Sequence, residues 1–221
     1  MVSSLSSTDD ELLAQAVELR EEADSLLCEK GLQDIVQSAG PACVTGSYSL
    51  NLMTWRDLDI SVQLQHEIDV SGFFDIGHKI ADKFRVVKMT FSNQFIRPDV
   101  PFDRGLYWGI RVFHLDGEWH IDLWGFGKDD YQRGLRDFNQ LSEQLKEADR
   151  LAILRIKDEV CQRPGYRYNF GSLDIYDAVS KHHIKTIKDF DEWLITKGKK
   201  PMSETTGDNP SAVKGYRIEK R

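Results

Sequence analysis

The chain has 221 residues, a formal net charge of −7 at neutral pH, 40% hydrophobic and 29% charged residues. That length holds one sizeable domain, or a smaller one with a helical appendage, and the 5 Trp, 7 Tyr and 11 Phe exclude a disordered polymer. An acidic balance excludes a protein whose whole surface grips a phosphate backbone, because that affinity comes from Lys and Arg releasing counterions.

Cys28, Cys43 and Cys161 are widely spaced and odd in number, which suggests neither a disulfide framework nor a zinc site. No run approaches a membrane span of about 20 apolar residues. The start, MVSSLSSTDDELL, lacks a basic segment followed by an apolar core. The expected setting is therefore the cytoplasm, with no membrane contact; a homodimer is compatible with the composition.

Thr8 followed by Asp9, Asp10 and Glu11 predicts a capping box, and Leu12, Leu13, Ala16, Leu19, Leu26 and Leu27 give the helix behind it an apolar stripe. Gly31 is its stop, and Leu32 to Gln37 adds a further turn. Pro41 to Thr45 reads as a short buried strand that Gly46 breaks. The strand over 58–64 alternates, sending Asp57, Asp59 and Ser61 to one face and Leu58, Ile60 and Val62 to the other.

Helical spacing runs over 69–83 despite Gly72 and Gly77, and β character returns over 85–91. Segments 107–114 and 118–124 predict a hairpin turning at Asp116-Gly117. Helices are expected over 138–161, 172–181 and 186–197, with a break at Pro164-Gly165 and a polar tail from 201. The expected organisation is a domain over 1–130, a helical region over 138–200 and the tail 201–221.

The stretch Val44-Thr45-Gly46-Ser47, nine residues, then Asp57-Leu58-Asp59-Ile60 carries the chemistry. Glycine lets the chain turn without a β-carbon in the way, and the next amides and hydroxyl suit phosphate oxygens. Asp-x-Asp on a strand sets two carboxylates on one side, their α-carbons about 6.6 Å apart, where they repel unless a cation neutralises them. Asp122, central in the apolar Trp119-His120-Ile121-Asp122-Leu123-Trp124, is a third acid that would be costly to bury unpaired.

Together these segments resemble the signature of the DNA polymerase β-like nucleotidyltransferase superfamily, which includes kanamycin, lincosamide and minimal nucleotidyltransferases. The resemblance covers roughly residues 41–125 and implies an α/β (α+β) nucleotidyltransferase fold. That fold is a short mixed, largely antiparallel sheet flanked by helices, with a C-terminal helical region and the site on the open sheet face. It implies that Asp57, Asp59 and Asp122 are catalytic and hold magnesium, two ions in such sites. Gly46, Ser47 and Arg56 are expected to contact a nucleoside triphosphate, ATP for preference.

The implied reaction moves AMP to a hydroxyl of a small molecule or protein, with long nucleic acid not expected as acceptor. The spacer 48–56, with Asn51, Met53, Thr54 and Trp55, departs from several antibiotic-modifying members and does not favour resistance. Glu118 and His120 share Asp122's face as nearest candidates for a base. The rival readings are a non-catalytic nucleotide-binding or interaction module that keeps the fold, and a carboxylate-pair hydrolase.

Each residue has a plainer role too. Asp122 can serve a salt bridge, and Lys88, Arg97, Arg104 and Arg111 can be solvated surface charges. Tyr107, Trp108, Trp119 and Trp124 read first as core, and Tyr166, Tyr168 and Tyr176 as inter-helix packing, with acceptor closure the alternative. His182 and His183 point in different directions from a helix and read as surface or capping residues.

Overall fold

The computed structural model describes residues 7–66, 68–96, 104–161, 163 and 165–204. Arg97, Pro164 and the tail beyond 204 lie outside them. The capping box forms: the Thr8 amide donates to the Glu11 carboxylate at 2.9 Å and the Glu11 amide to Thr8 Oγ1 at 3.3 Å. Helix α1 (Asp9–Asp24) continues through a π-helical turn, Ser25–Glu29. Gly31, at φ 71°, turns the chain into α2 (Leu32–Gln37).

Strand β1 (Ala42–Thr45) and the short α3 (Gly46–Ser49) precede β2 (Asp57–Gln63). Helix α4 (Val70–Lys83) leads to β3 (Arg85–Asn93), then the hairpin β4 (Leu106–His114) and β5 (Gly117–Phe126). The hairpin differs from expectation at its tip. His114 pairs with Gly117, so Leu115 and Asp116 form the turn, and Leu115 takes the positive φ, 49°.

The five strands form one sheet in the order β1-β2-β5-β4-β3, antiparallel throughout except where β2 runs parallel to β5. Period-2 alternation gives it an apolar face, with Leu58, Ile60, Val62, Ile110, Val112, Trp119, Ile121 and Leu123. That face packs on Leu19, Leu26 and Leu27 of the first helix and its extension, Leu32 and Val36 of α2, and Phe73, Ile76 and Ile80 of α4.

Behind the sheet, α5 (Lys128–Leu145) starts ten residues before the expected helix and stops before α6 (Arg150–Val160), so 138–161 is two helices. Asp149 caps the second by accepting from the Ala152 amide at 3.0 Å. Helices α7 (Ser172–His182) and α8 (Ile187–Thr196) complete a second apolar cluster, which also takes in Leu52 and Trp55 from the loop before β2. His183 ends α7 in the left-handed region at φ 55°, the capping role expected of it. No helix among the described residues is long and apolar enough to cross a membrane.

Arg56 departs from its expected nucleotide role. It is buried, and its Nε and Nη2 donate to Glu22 of α1 at 2.6 and 2.8 Å, with the guanidinium lying over Gly117, where a β-carbon would sit 2.5 Å from it. The physical reason is alternation: Asp57 faces the open side, and its neighbour is turned towards α1. Arg56→Met leaves the Glu22 carboxylate buried without this partner. We expect a loss of about 3 kcal/mol, seen as a lower urea midpoint at an unchanged slope.

Candidate active site

The opposite sheet face opens into a cleft of about 690 Å³. Strand register places the acids. Asp59 lies directly beside Asp122 across the parallel β2–β5 pair, and Asp57 lies beside His120. Each side chain on this face follows from alternation, since Leu58, Ile60, Ile121 and Leu123 occupy the other.

Gly46 and Ser47 line the same cleft. Gly46 has φ 62°, and a β-carbon on it would lie 1.8 Å from Asp59 Oδ2. Both features demand glycine: the turn needs left-handed backbone, and the carboxylate needs the space.

His120 stands between two acids, with Nδ1 3.3 Å from Asp57 Oδ1 and Nε2 3.3 Å from Asp122 Oδ1. Tyr107 from β4 donates its hydroxyl to Asp122 Oδ1. Arg167, from the loop between α6 and α7, brings Nη2 to 3.5 Å from Asp57 Oδ2. Its backbone has φ 70°, and its amide donates to the Phe170 carbonyl at 2.7 Å, so the loop is held while its guanidinium faces the acids.

These contacts divide the carboxylates. Burial raises the Asp57 carboxyl, but the His120 hydrogen bond and the charges of Arg167 and His120 outweigh it and hold the group below the usual range. Asp59 lacks the imidazole hydrogen bond, and the charges of Arg167 and Lys157 only partly offset its surroundings. Burial, then the charges of Asp57 and Asp122, push it up to about 7. Burial and the Asp57 charge also raise Asp122, against the pull of His120 and Tyr107. Burial lowers His120, yet the ring's hydrogen bond to Asp57 and the charges of Asp122 and Asp57 leave it raised.

The donor set fits a divalent cation. Asp57, His120 and Asp122 each offer one ligand atom, all within 4.8 Å of one another. Asp57 Oδ1 is buried and without a well-formed hydrogen bond. A buried anionic cluster of this kind is the environment in which a bound cation stabilises the site.

Several site residues escaped the sequence. Lys157 of α6 is fully buried at the cleft wall, donating to the Leu52 carbonyl at 2.6 Å with Nζ 4.6 Å from the Trp55 ring centre; burial lowers it to about 8. Trp124 differs from the core reading of its strand: it lines the cleft parallel to Phe126, ring centres 5.7 Å apart. Trp108 and Trp119 are core. Tyr166 and Tyr176 do both jobs, packing among the helices and lining the cleft, while Tyr168 is exposed. Glu118 is engaged by Arg111.

No family model matches the sequence, and no curated protein sequence is significantly similar to it. Among solved structures of similar fold is the Cid1 poly(U) polymerase, 10% identical over 72% of this chain and 48% of that one, TM-score 0.40. Another is the non-canonical poly(A) polymerase complex GLD-2–GLD-3, 13% identical over 75% and 56%, TM-score 0.44. A cytoplasmic RNA terminal U-transferase is also similar, 13% identical over 76% and 52%, TM-score 0.39. The chain thus spans about half the length of these proteins, and identity this low transfers no residue role to it.

Asp59 gives a pH signature to the metal-free protein. Below about pH 4 it is protonated folded and unfolded alike; between there and its folded value of about 7 only the folded chain holds the proton, so stability is lost as pH rises. In chelator, Asp59→Asn should melt above the parent at pH 8, with the difference vanishing near pH 4. A variant less stable than the parent at pH 8 contradicts the assignment.

Proposed function

We propose that the protein is a divalent-dependent nucleotidyltransferase that moves a nucleoside monophosphate from a nucleoside triphosphate to a hydroxyl group. The acceptor oxygen bonds to the α-phosphorus, the α–β bridging P–O bond breaks, and pyrophosphate leaves with that electron pair. One observation carries the reading. Asp59 and Asp122 are register partners, with Asp57 two residues earlier, and all three face a cleft that the Gly46-Ser47 turn and Arg167 also line.

Asp57, Asp59 and Asp122 would hold magnesium, which supplies charge compensation for the triphosphate and acidifies the acceptor hydroxyl. Gly46 and Ser47 receive phosphate oxygens at the turn, and Arg167 replaces Arg56 as the cation that orients the triphosphate. Asp122, oriented by the Tyr107 hydroxyl, would ligate the ion that acidifies the acceptor hydroxyl and take its proton. Trp124 offers a flat wall to the base, and a purine presents the larger stacking surface, which supports ATP as donor.

The net charge of −7 supports a small molecule or a protein hydroxyl as acceptor over long nucleic acid. Labelled ATP and UTP, offered with small-molecule, protein and oligoribonucleotide acceptors, test this directly. Pyrophosphate release with label on a small molecule or protein is expected; label on RNA alone overturns the acceptor class. Magnesium-dependent ATP binding without pyrophosphate release supports a non-catalytic nucleotide-binding module instead.

Asp57→Asn, Asp59→Asn and Asp122→Asn should each lower turnover by about 1,000-fold, or ~4 kcal/mol at the transition state. Their circular dichroism should stay unchanged. Arg167→Ala should raise KM for the triphosphate about tenfold with kcat nearly kept, as expected for a ground-state contact. Wild-type turnover in Asp59→Asn removes the mechanism.

A further inference from the structure

The acid cluster contains a fourth group that a magnesium site does not call for. His120 lies two residues before Asp122 on β5 and opposite Asp57 on β2, so both strands must be in register for it to enter the cluster. Its ring sits between the two carboxylates with one nitrogen 3.3 Å from each, and it is mostly shielded from solvent, the side chain retaining 20% of its exposure.

We infer that His120 is a metal ligand, and that Asp57, His120 and Asp122 form a mixed oxygen–nitrogen centre selecting a borderline divalent ion such as Mn²⁺, Co²⁺ or Zn²⁺ over Mg²⁺. The inference rests on the proposed divalent site and names the ion it prefers. Two separate observations support it. The three ligand atoms lie within 4.8 Å of one another, and ligands about 2.1 Å from one ion stand roughly 3–4 Å apart, so side-chain torsions alone close the set. Asp57 Oδ1, on a side chain only 10% exposed, has no well-formed hydrogen bond and is aimed into the cluster.

Ligand chemistry sets the preference. Magnesium is a hard ion that holds oxygen and water, whereas imidazole binds the first-row transition divalents better, least strongly Mn²⁺ and more strongly Co²⁺ and Zn²⁺. A ligating histidine uses one ring nitrogen for the ion and the other for a carboxylate that fixes its orientation. His120 has a carboxylate beside each nitrogen, so whichever nitrogen takes the ion has an anionic co-ligand next to it. Asp59 lies outside this trio.

The test uses the full chain stripped of metal, then loaded with Mn²⁺. Pulsed electron paramagnetic resonance of the wild type should show a directly coordinated nitrogen, and His120→Gln should lose that coupling. The variant's preference for Mn²⁺ over Mg²⁺, measured by competition, should fall at least tenfold, or about 1.4 kcal/mol. Bound Mn²⁺ without nitrogen coupling in the wild type, or an unchanged preference in a folded His120→Gln, overturns the inference. If the variant fails to fold, the wild-type spectrum decides alone. Either overturning result leaves the nucleotidyl-transfer reading intact, since that stands on turnover of the aspartate variants.

Discussion

Like charges held close in a poorly solvated place govern the architecture. Two strands in parallel register bring Asp59 and Asp122 side by side, and Asp57 follows on the same face of β2. Backbone hydrogen bonding fixes their spacing, so the acids cannot separate to relieve repulsion. Around them the chain has gathered what it can: an imidazole between two of them, a phenol on one and a guanidinium against another. Asp59 lacks a side-chain donor of this kind, and its carboxyl is raised to about 7.

The two faces of the sheet resolve opposite problems. One buries aliphatic and indole surface against α1, α2 and α4, which gives the strands their rigidity. The other spends that rigidity on holding polar groups apart from water and near one another. Arg56 and Glu22 show the border between them, because a cation one residue from the acid cluster is turned to the helical side and neutralised there. Gly117 leaves room for that guanidinium, as Gly46 does for Asp59.

Much of this was legible in the chain because it is local. Alternation in Asp57-Leu58-Asp59-Ile60 and in Trp119 to Trp124 fixed which side chains share a face, and the capping box fixed the start of α1. The hairpin tip lies one residue before the Asp-Gly pair, a strong turn signal, because Leu115 adopts the positive φ in its stead. Arg167 and Lys157 had no signal at all. Their sites lie about a hundred residues from β2, and only the folding of α6 and its following loop brings them to the cleft. Trp124 was ambiguous because a strand aromatic reads alike whether its face is covered or open.

Leu52 and Trp55 belong to the chain segment that feeds β2, yet they pack with the helices that come after α5. Lys157 ties the same segment, through the Leu52 carbonyl, to the middle of α6. The late helices are thus anchored to the strand that bears the first two acids. Peeling them away would bare an indole and a leucine beside β2, which couples the stability of the late helices to that of the acid-bearing strand.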